Sequence, residues 1–128
     1  MIKNLSHVSL STRNINKVIN FYVKILKMKI AHKFKNKNNK IYGLFLYCGK
    51  RTFLEFFLTK NKNTKFRHVC FEVKNLCEIQ NKLKKFDKKI KIRRGKTDRI
   101  MQFMTTDFEG NEIEFHQHDK KSKLKKFL

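Results

Sequence analysis

Polar and apolar residues alternate along two segments of the chain, each of which begins with a histidine. In the first segment His7 and Ser9 alternate with Val8 and Leu10, and the same alternation runs over residues 68–73. Side chains at positions i and i+2 of a β-strand lie on the same face of a sheet. Both segments are therefore predicted to be strands with one apolar and one polar face.

Each of these strands is followed by a segment whose apolar residues recur at the spacing of an α-helix. Asn14 and Asn75 come directly before the two segments and are suitable N-caps. The apolar stripes consist of Ile15, Val18, Ile19, Tyr22 and Ile25 in the first helix and of Leu76, Ile79, Leu83 and Phe86 in the second. Because a helix buries its apolar face against another element, we expect both helices to pack on the apolar face of the sheet.

Three further strands are predicted after each helix. They are residues 29–35, 41–47 and 52–58 in the first half of the chain and residues 89–93, 100–105 and 111–116 in the second. Short segments rich in Gly, Asn and Asp separate them, among them the predicted turn 107–110, and such segments are typical of turns. A polar linker, 59–64, joins the two halves.

The two halves also repeat each other in sequence. Residues 7–15 match residues 68–76 at an offset of 61, with identical His, Val and Asn at three positions. Each half then reaches a strand that carries a glutamate, 48 residues after the first histidine and 46 residues after the second. A repeat of this kind indicates a duplicated module. We therefore predict a single domain over residues 1–128, built from module one, 1–62, and module two, 63–128.

Four of the predicted strands carry an imidazole or a carboxylate on the face opposite their apolar residues. These side chains are His7, Glu55, His68 and Glu114. Any one of them alone is more often hydrogen-bonded or exposed to solvent, but equivalent places in two repeats favour a common site. Imidazole and carboxylate bind Ni, Co, Zn, Mn and Fe well. The sequence therefore predicts one divalent metal ion held by these four residues.

The charge of the chain is extreme, with 32 Lys and Arg against 10 Asp and Glu and a net charge of +22. The lysines are spread along the whole sequence, and the absence of Pro and Trp fits an AT-rich genome that inflates Lys without selection. We therefore do not expect a nucleic-acid partner. The densest basic run, 120–126, is predicted to be a solvated tail, with an electrostatic anchor for nucleic acid or an anionic membrane as the alternative.

Length and composition indicate one globular domain, since 40% of the 128 residues are hydrophobic. No apolar run reaches the roughly 20 residues that cross a bilayer, so no membrane partner is expected. The first seven residues also lack the apolar stretch of a signal peptide, and a cytoplasmic location is predicted. Three cysteines without a close pair predict no disulfide framework.

Several of these segments together resemble the vicinal-oxygen-chelate superfamily, which includes glyoxalase I, methylmalonyl-CoA epimerase, the fosfomycin-resistance thiol transferases and the extradiol dioxygenases. The resemblance runs from Leu5 to about Gln117, and its carriers are residues 5–10, 19–26, 66–73 and 107–115. It implies an α+β fold in which two tandem βαβββ modules form a cupped mixed sheet. It also implies a small-molecule substrate.

The order of the predicted ligands distinguishes members of that superfamily. Glyoxalase I uses His, Glu, His and Glu, whereas the epimerase resembles a His, Gln, His, Glu pattern and the transferases and dioxygenases generally use three protein ligands. Glu55 therefore favours a lyase of the glyoxalase I type, which isomerises a methylglyoxal–thiol hemithioacetal to a lactoyl thioester. The resemblance makes Glu114 and Glu55 the catalytic groups. Ser11 and Thr59 stand where glyoxalase I has residues that bind glutathione, so the thiol stays open.

The alternatives are a thiol transferase of the fosfomycin-resistance type, an epimerase, and a non-catalytic binding protein of the bleomycin-resistance type. For any of these, residues near the predicted ligands are candidates for substrate binding, namely Ser11, Phe53, Phe57 and Cys70.

Single-domain members of the superfamily pair as dimers, and the resemblance implies a homodimer here. In the arrangement it implies, His7 and Glu55 of one chain lie beside His68 and Glu114 of the other, so that each metal site is shared between the two chains.

Overall fold

The computed structural model describes residues 1–62, 65–106 and 110–128, in which eight strands form one sheet. The strands are β1 (Ile2–Thr12), β2 (Lys29–Lys35), β3 (Ile41–Gly49), β4 (Thr52–Leu58), β5 (Phe66–Val73), β6 (Arg93–Arg94), β7 (Met101–Thr106) and β8 (Glu112–Gln117). Most of the predicted turn 107–110 and the end of the linker 59–64 lie outside the described residues.

Two helices follow the opening strands of the two modules. Helix α1 begins as an α-helix over Ile15–Val18 and continues as a π-helix over Ile19–Ile25, and helix α2 spans Leu76–Leu83. The side chains of Asn14 and Asn75 accept backbone N–H groups of the first turns, as predicted for N-caps. None of the helices in the described part of the chain is long and apolar enough to cross a membrane.

The strand order is β2-β3-β4-β1-β5-β8-β7-β6, so each module contributes four neighbouring strands in the same relative order. Within each module the opening strand runs parallel to the last one, as in β1 with β4 and β5 with β8. The modules meet where β1 and β5 pair antiparallel. This mixed sheet confirms the predicted α+β fold and places the opening strands of both modules side by side at its centre.

Apolar side chains on one face of the sheet pack against the helices, as the alternation predicts. The cluster under α1 contains Ile15, Val18, Leu44, Leu46 and Phe56, and the cluster under α2 contains Val73, Leu76, Ile79, Ile90, Phe103 and Phe115. Both helices therefore cover the same side of the sheet. The histidines and glutamates of the predicted site lie on the opposite face.

The end of α1 differs from the prediction because its last turns are wider than those of an α-helix. The backbone N–H of Leu26 donates to the carbonyl of Phe21, five residues earlier, at 3.0 Å. A π-turn takes in one more residue than an α-turn and so rotates the buried face. Val23 packs against the core, and Ile25, which the α-helical spacing placed in the stripe, is 60% exposed.

The second module departs from the prediction after α2. The helix ends at Leu83, so Phe86 lies beyond it and is 86% exposed. The predicted strand 89–93 is reduced to the two residues of β6. Ile90 is buried under α2. Its carbonyl accepts a hydrogen bond from the side-chain amide of Gln80 at 3.1 Å, and not from the backbone of a neighbouring strand.

The C-terminal segment packs on the face of the sheet opposite the helices. Leu124 is fully buried in an aromatic cluster with Phe34, Phe45, Phe53 and Ile100. The backbone N–H of Lys123 donates to the carbonyl of Asp98 at 2.8 Å. The prediction that this basic run is a solvated tail is therefore wrong for its apolar residue, which the hydrophobic effect holds in the cluster, although the lysines around it are exposed.

Candidate metal centre

The pairing of β1 with β5 brings the two repeated histidines together. In the sheet register His7 lies opposite Cys70, and Ser9 lies opposite His68. Both imidazoles point to the face without helices and are buried, and their Nε2 atoms are 3.0 Å apart. The internal repeat thus places its two histidines at one point of the sheet.

The two glutamates come from the strands that flank this pair. Glu55 on β4 lies opposite Ser9, and Glu114 on β8 lies opposite Cys70. Oε2 of Glu114 is 3.2 Å from Nε2 of His7 and 2.9 Å from Nε2 of His68. Oε1 of Glu55 is 3.6 Å from both nitrogen atoms. The structure therefore brings all four predicted ligands together.

All four groups belong to a single chain, which corrects one prediction. The resemblance implied that each site takes His7 and Glu55 from one chain and His68 and Glu114 from the other. That division is wrong for this structure, because β1 and β5 pair within one chain and turn both halves of the ligand set to the same side. All four predicted ligands therefore come from one chain.

Burial and close charges shift the pKa values of these groups in different directions. Burial, and then the charge of Glu114, raises the pKa of Glu55 to about 8. Burial alone would raise the pKa of Glu114 as well, but the charge of His116 and hydrogen bonds from three imidazoles hold it well below its usual range. Burial lowers the pKa of His7 to about 4, so its imidazole is neutral at physiological pH.

The geometry fits a divalent cation. Ligand bonds of about 2.1 Å separate neighbouring ligand atoms by roughly 3 Å, and each imidazole Nε2 lies 2.9 to 3.6 Å from the other Nε2 and from the nearest oxygen of each glutamate. The ligand atoms of His7, Glu55 and His68 all lie within 4.8 Å of one another. Within the described ranges, the buried atom Oε1 of Glu55 has no hydrogen-bond partner. A buried carboxylate without a partner is costly, and a cation here would offset its charge.

A cavity of about 560 Å³ opens over this cluster. Glu55, His68 and Glu114 line its floor. Its walls include the apolar side chains Phe34, Tyr42, Phe57, Leu58 and Met104 and the cationic side chains Arg67 and Lys96. A small molecule in this cavity would contact both the predicted metal ligands and positive charge.

Of the four predicted substrate contacts, only Phe57 lines this cavity. Phe53 is buried in the aromatic cluster around Leu124, because it lies two residues before Glu55, toward the end of β4 that the C-terminal segment covers. Cys70 is fully buried below the cavity floor. Ser11 lines a separate groove. We therefore do not expect Ser11, Phe53 or Cys70 to contact a molecule in the cavity.

His116 belongs to the site, although the sequence analysis did not include it among the site residues. Its Nε2 lies 3.1 Å from Oε1 of Glu114, and its ring centroid lies 5.1 Å from that of His7. The side chain is almost fully buried. The signal was present in the sequence, because His116 follows Glu114 by two residues and must share its face of β8.

Metal binding should stabilise the protein more strongly as the pH rises from about 5 to about 8. Without metal, the folded state keeps a proton on Glu55 that the unfolded state releases above its ordinary pKa of 4.5. That contribution to stability is complete below pH 4.5 and is lost as the pH rises through about 8. A bound cation replaces the proton. Melting temperatures with and without Zn²⁺ across this range would test this, and a metal-induced rise that shrinks toward pH 8 would contradict it.

Comparisons with known proteins agree with this fold. The family described as Glyoxalase/Bleomycin resistance protein/Dioxygenase superfamily matches residues 4–115. A search of curated protein sequences finds no match. Among solved structures, methylmalonyl-CoA epimerase from Mycobacterium tuberculosis superposes with a TM-score of 0.74 at 16% identity, over 94% of this chain and 91% of the epimerase.

Two further solved structures show the same similarity. A 2,3-dioxygenase from Pseudomonas has a TM-score of 0.73 at 18% identity and covers 91% of this chain, which corresponds to 43% of the dioxygenase. A hypothetical protein from Bacillus halodurans has a TM-score of 0.70 at 16% identity, over 91% of this chain and 95% of its own. At identities this low, the solved structures support the fold alone. Membership in the family rests on the family model that matches residues 4–115. The chain belongs to the glyoxalase/bleomycin resistance protein/dioxygenase superfamily, as the resemblance predicted.

Proposed function

We propose that the chain is a metal-dependent enzyme of the glyoxalase I type, which isomerises the hemithioacetal of methylglyoxal and a small thiol to a lactoyl thioester. The observation that carries this proposal is the convergence of His7, Glu55, His68 and Glu114 in one cluster, three of whose members line the floor of an open cavity. Four protein donors with a carboxylate in the second position match the ligand order of glyoxalase I.

The bound cation would polarise the substrate carbonyl and stabilise the negative charge that develops on its oxygen. The chain itself has to move one proton between two neighbouring carbon atoms. A carboxylate at hydrogen-bonding distance from the substrate is suited to this transfer, and its efficiency is greatest when its pKa lies near the working pH. Both glutamates line the cavity and are candidates.

Glu55 is the better placed of the two glutamates to act as the base. Its Oε1 lies 3.6 Å from the imidazoles and, in the described part of the chain, has no hydrogen-bond partner, so it can turn toward a substrate. Glu114 is more firmly held, since one oxygen lies near His7 and His68 and the other near His116. We assign proton transfer to Glu55, with Glu114 as its negatively charged counterpart.

The walls of the cavity support a substrate with an anionic thiol portion. The guanidinium of Arg67 lies over the ring of Phe57, 5.1 Å from its centroid, and Lys96 adds a second positive charge. The stacking contact holds Arg67 at the mouth of the cavity. A carboxylate on the thiol could pair with these side chains while the apolar walls exclude water from the reacting carbon atoms.

The Glu55→Gln variant should lose at least ~100-fold in kcat for this reaction, because general-base catalysis contributes about that much or more. The assay combines methylglyoxal with glutathione or another thiol in the presence of Ni²⁺, Co²⁺ or Zn²⁺ and follows the absorbance of the thioester. Glu78→Gln is a suitable control, since Glu78 is exposed on α2 and pairs with Lys82. No rate above the metal-free background with any thiol would reject the proposal.

An epimerase acting on an acyl-CoA thioester is the second candidate. It needs the same proton transfer next to a carbonyl, and Arg67 and Lys96 at the cavity would suit its phosphate or carboxylate groups. Exchange of the α-proton of methylmalonyl-CoA in D₂O, without any methylglyoxal activity, would favour this candidate.

A thiol transferase that relies on three ligands should instead keep its metal and most of its rate in Glu55→Gln. Purified protein without metal would favour the bleomycin-resistance type.

The homodimer implied by the resemblance stays a prediction. Because all four predicted ligands come from one chain, a dimer here would not have to supply any of them.

A further inference from the structure

A second set of candidate ligands lies below the floor of the cavity. His7, Cys70, Glu114 and His116 are all buried, and each offers a ligand atom within 4.8 Å of the ligand atoms of the others. We propose that these four side chains form an inner cation position, which takes a thiophilic divalent ion such as Zn²⁺, Co²⁺ or Cd²⁺. It is distinct from the outer position formed with Glu55 and His68.

The sheet register explains why the inner set converges. Cys70 on β5 lies opposite His7 on β1 and opposite Glu114 on β8, so the three residues form one row across neighbouring strands. Directly opposed side chains have Cβ atoms about 5 Å apart. His116 lies two residues beyond Glu114 on the same face. Glu55 and His68 belong to the next row, which also contains Ser9.

Some buried polar atoms of this inner set lack hydrogen-bond partners within the described part of the chain. In the described residues, both ring nitrogens of His116 are buried and have no hydrogen-bond partner, and its Nε2 is the one that faces Glu114. Glu114 faces both positions, because its Oε2 lies near His7 and His68 while its Oε1 lies 3.1 Å from Nε2 of His116. Buried polar atoms in proteins nearly always have a partner, and a cation at the inner position would supply one.

The inner position would share His7 and Glu114 with the outer one and would have His116 and Cys70 in place of His68 and Glu55. It would thus have a thiolate in place of a carboxylate, and sulfur ligands favour softer ions over Mn²⁺ or Mg²⁺. The thiol proton of Cys70 is released to solvent when the ion binds. Cys70 and His116 are buried and do not line the cavity, so an inner ion would not face a substrate.

Co²⁺ spectroscopy tests this proposal. A protein with both Cys48→Ser and Cys77→Ser keeps Cys70 as its only thiol, and both replaced residues are exposed. Titration of this protein with Co²⁺ should produce a near-ultraviolet thiolate-to-cobalt charge-transfer band. Adding Cys70→Ser should remove the band, whereas adding Glu55→Gln should preserve it, because Glu55 belongs only to the outer set.

The decisive measurement uses the protein that keeps every buried residue, so failure to fold cannot explain a negative result. Co²⁺ binding by calorimetry without a charge-transfer band would overturn the inner position and leave the proposed function standing. No Co²⁺ binding at all would overturn both. A band that persists in a Glu55→Gln protein without activity would support the inner position independently of catalysis.

Discussion

Replacing Glu114 by glutamine should lower the affinity for Zn²⁺ or Ni²⁺ by more than ~100-fold. Loss of a residue that only supports a metal ligand commonly costs about 10–100-fold in affinity, and Glu114 is itself a candidate ligand that contacts both imidazoles, at 3.2 and 2.9 Å. Isothermal titration calorimetry of the metal-free protein would measure the loss. The variant keeps the size of the side chain, so the buried volume is unchanged.

Glu112→Gln is a matched control for this experiment. Glu112 lies on the same strand and the same face as Glu114 and lines the cavity, but it is exposed and does not belong to the cluster of candidate ligands. Its replacement removes the same charge without touching the cluster, and the affinity should change by less than ~3-fold, because exposed charges interact weakly through solvent. Equal losses in both variants would show that net charge, and not coordination by Glu114, determines metal binding.

Replacing Leu124 by alanine should lower the free energy of unfolding by about 2–5 kcal/mol, the usual cost of truncating a buried leucine. Leu124 is 0% exposed and packs against Phe45 and Phe53, which lie on the same face of the sheet as His7. Urea denaturation of the metal-free protein would measure the change. The value is large for a residue only four positions before the last one of the sequence given.

Leu128→Ala provides the comparison, since Leu128 belongs to the same segment and is exposed. Its free energy of unfolding should stay within about 0.5 kcal/mol of the original protein. If Leu124→Ala were equally mild, the C-terminal segment would not hold the aromatic cluster together, and its packing on the sheet would have to be rejected.

The central part of the fold could be predicted because two independent patterns agree. Alternation fixes which residues of a strand share a face, and the repeat identifies His7 with His68 as equivalent positions. Because side chains alternate between the two faces of a strand with a period of two, the apolar neighbours of Glu55 and Glu114 determine on which face these glutamates lie. The ligand cluster could therefore be predicted without knowing the strand order.

Other features depend on long-range contacts that no local pattern contains. The π-helical end of α1 has the composition of an ordinary helix, and only its packing reveals that Val23 replaces Ile25 in the core. Leu124 lies in a run of lysines whose mean hydropathy is strongly polar. A pattern averaged over that run therefore does not indicate that this one residue is buried. Whether two modules combine within a chain or between chains depends on the pairing of β1 with β5, which the repeat alone leaves open.

That pairing has a consequence for metal uptake in dilute solution. When donors are divided between subunits, holding an ion depends on subunit association and weakens as the protein is diluted. In the proposed site the backbone of one chain would set the local concentration of all four donors, so we expect occupancy to depend on the free metal level and not on the protein concentration. An ion at this site would stay bound at low expression levels, whether or not the chain forms a dimer.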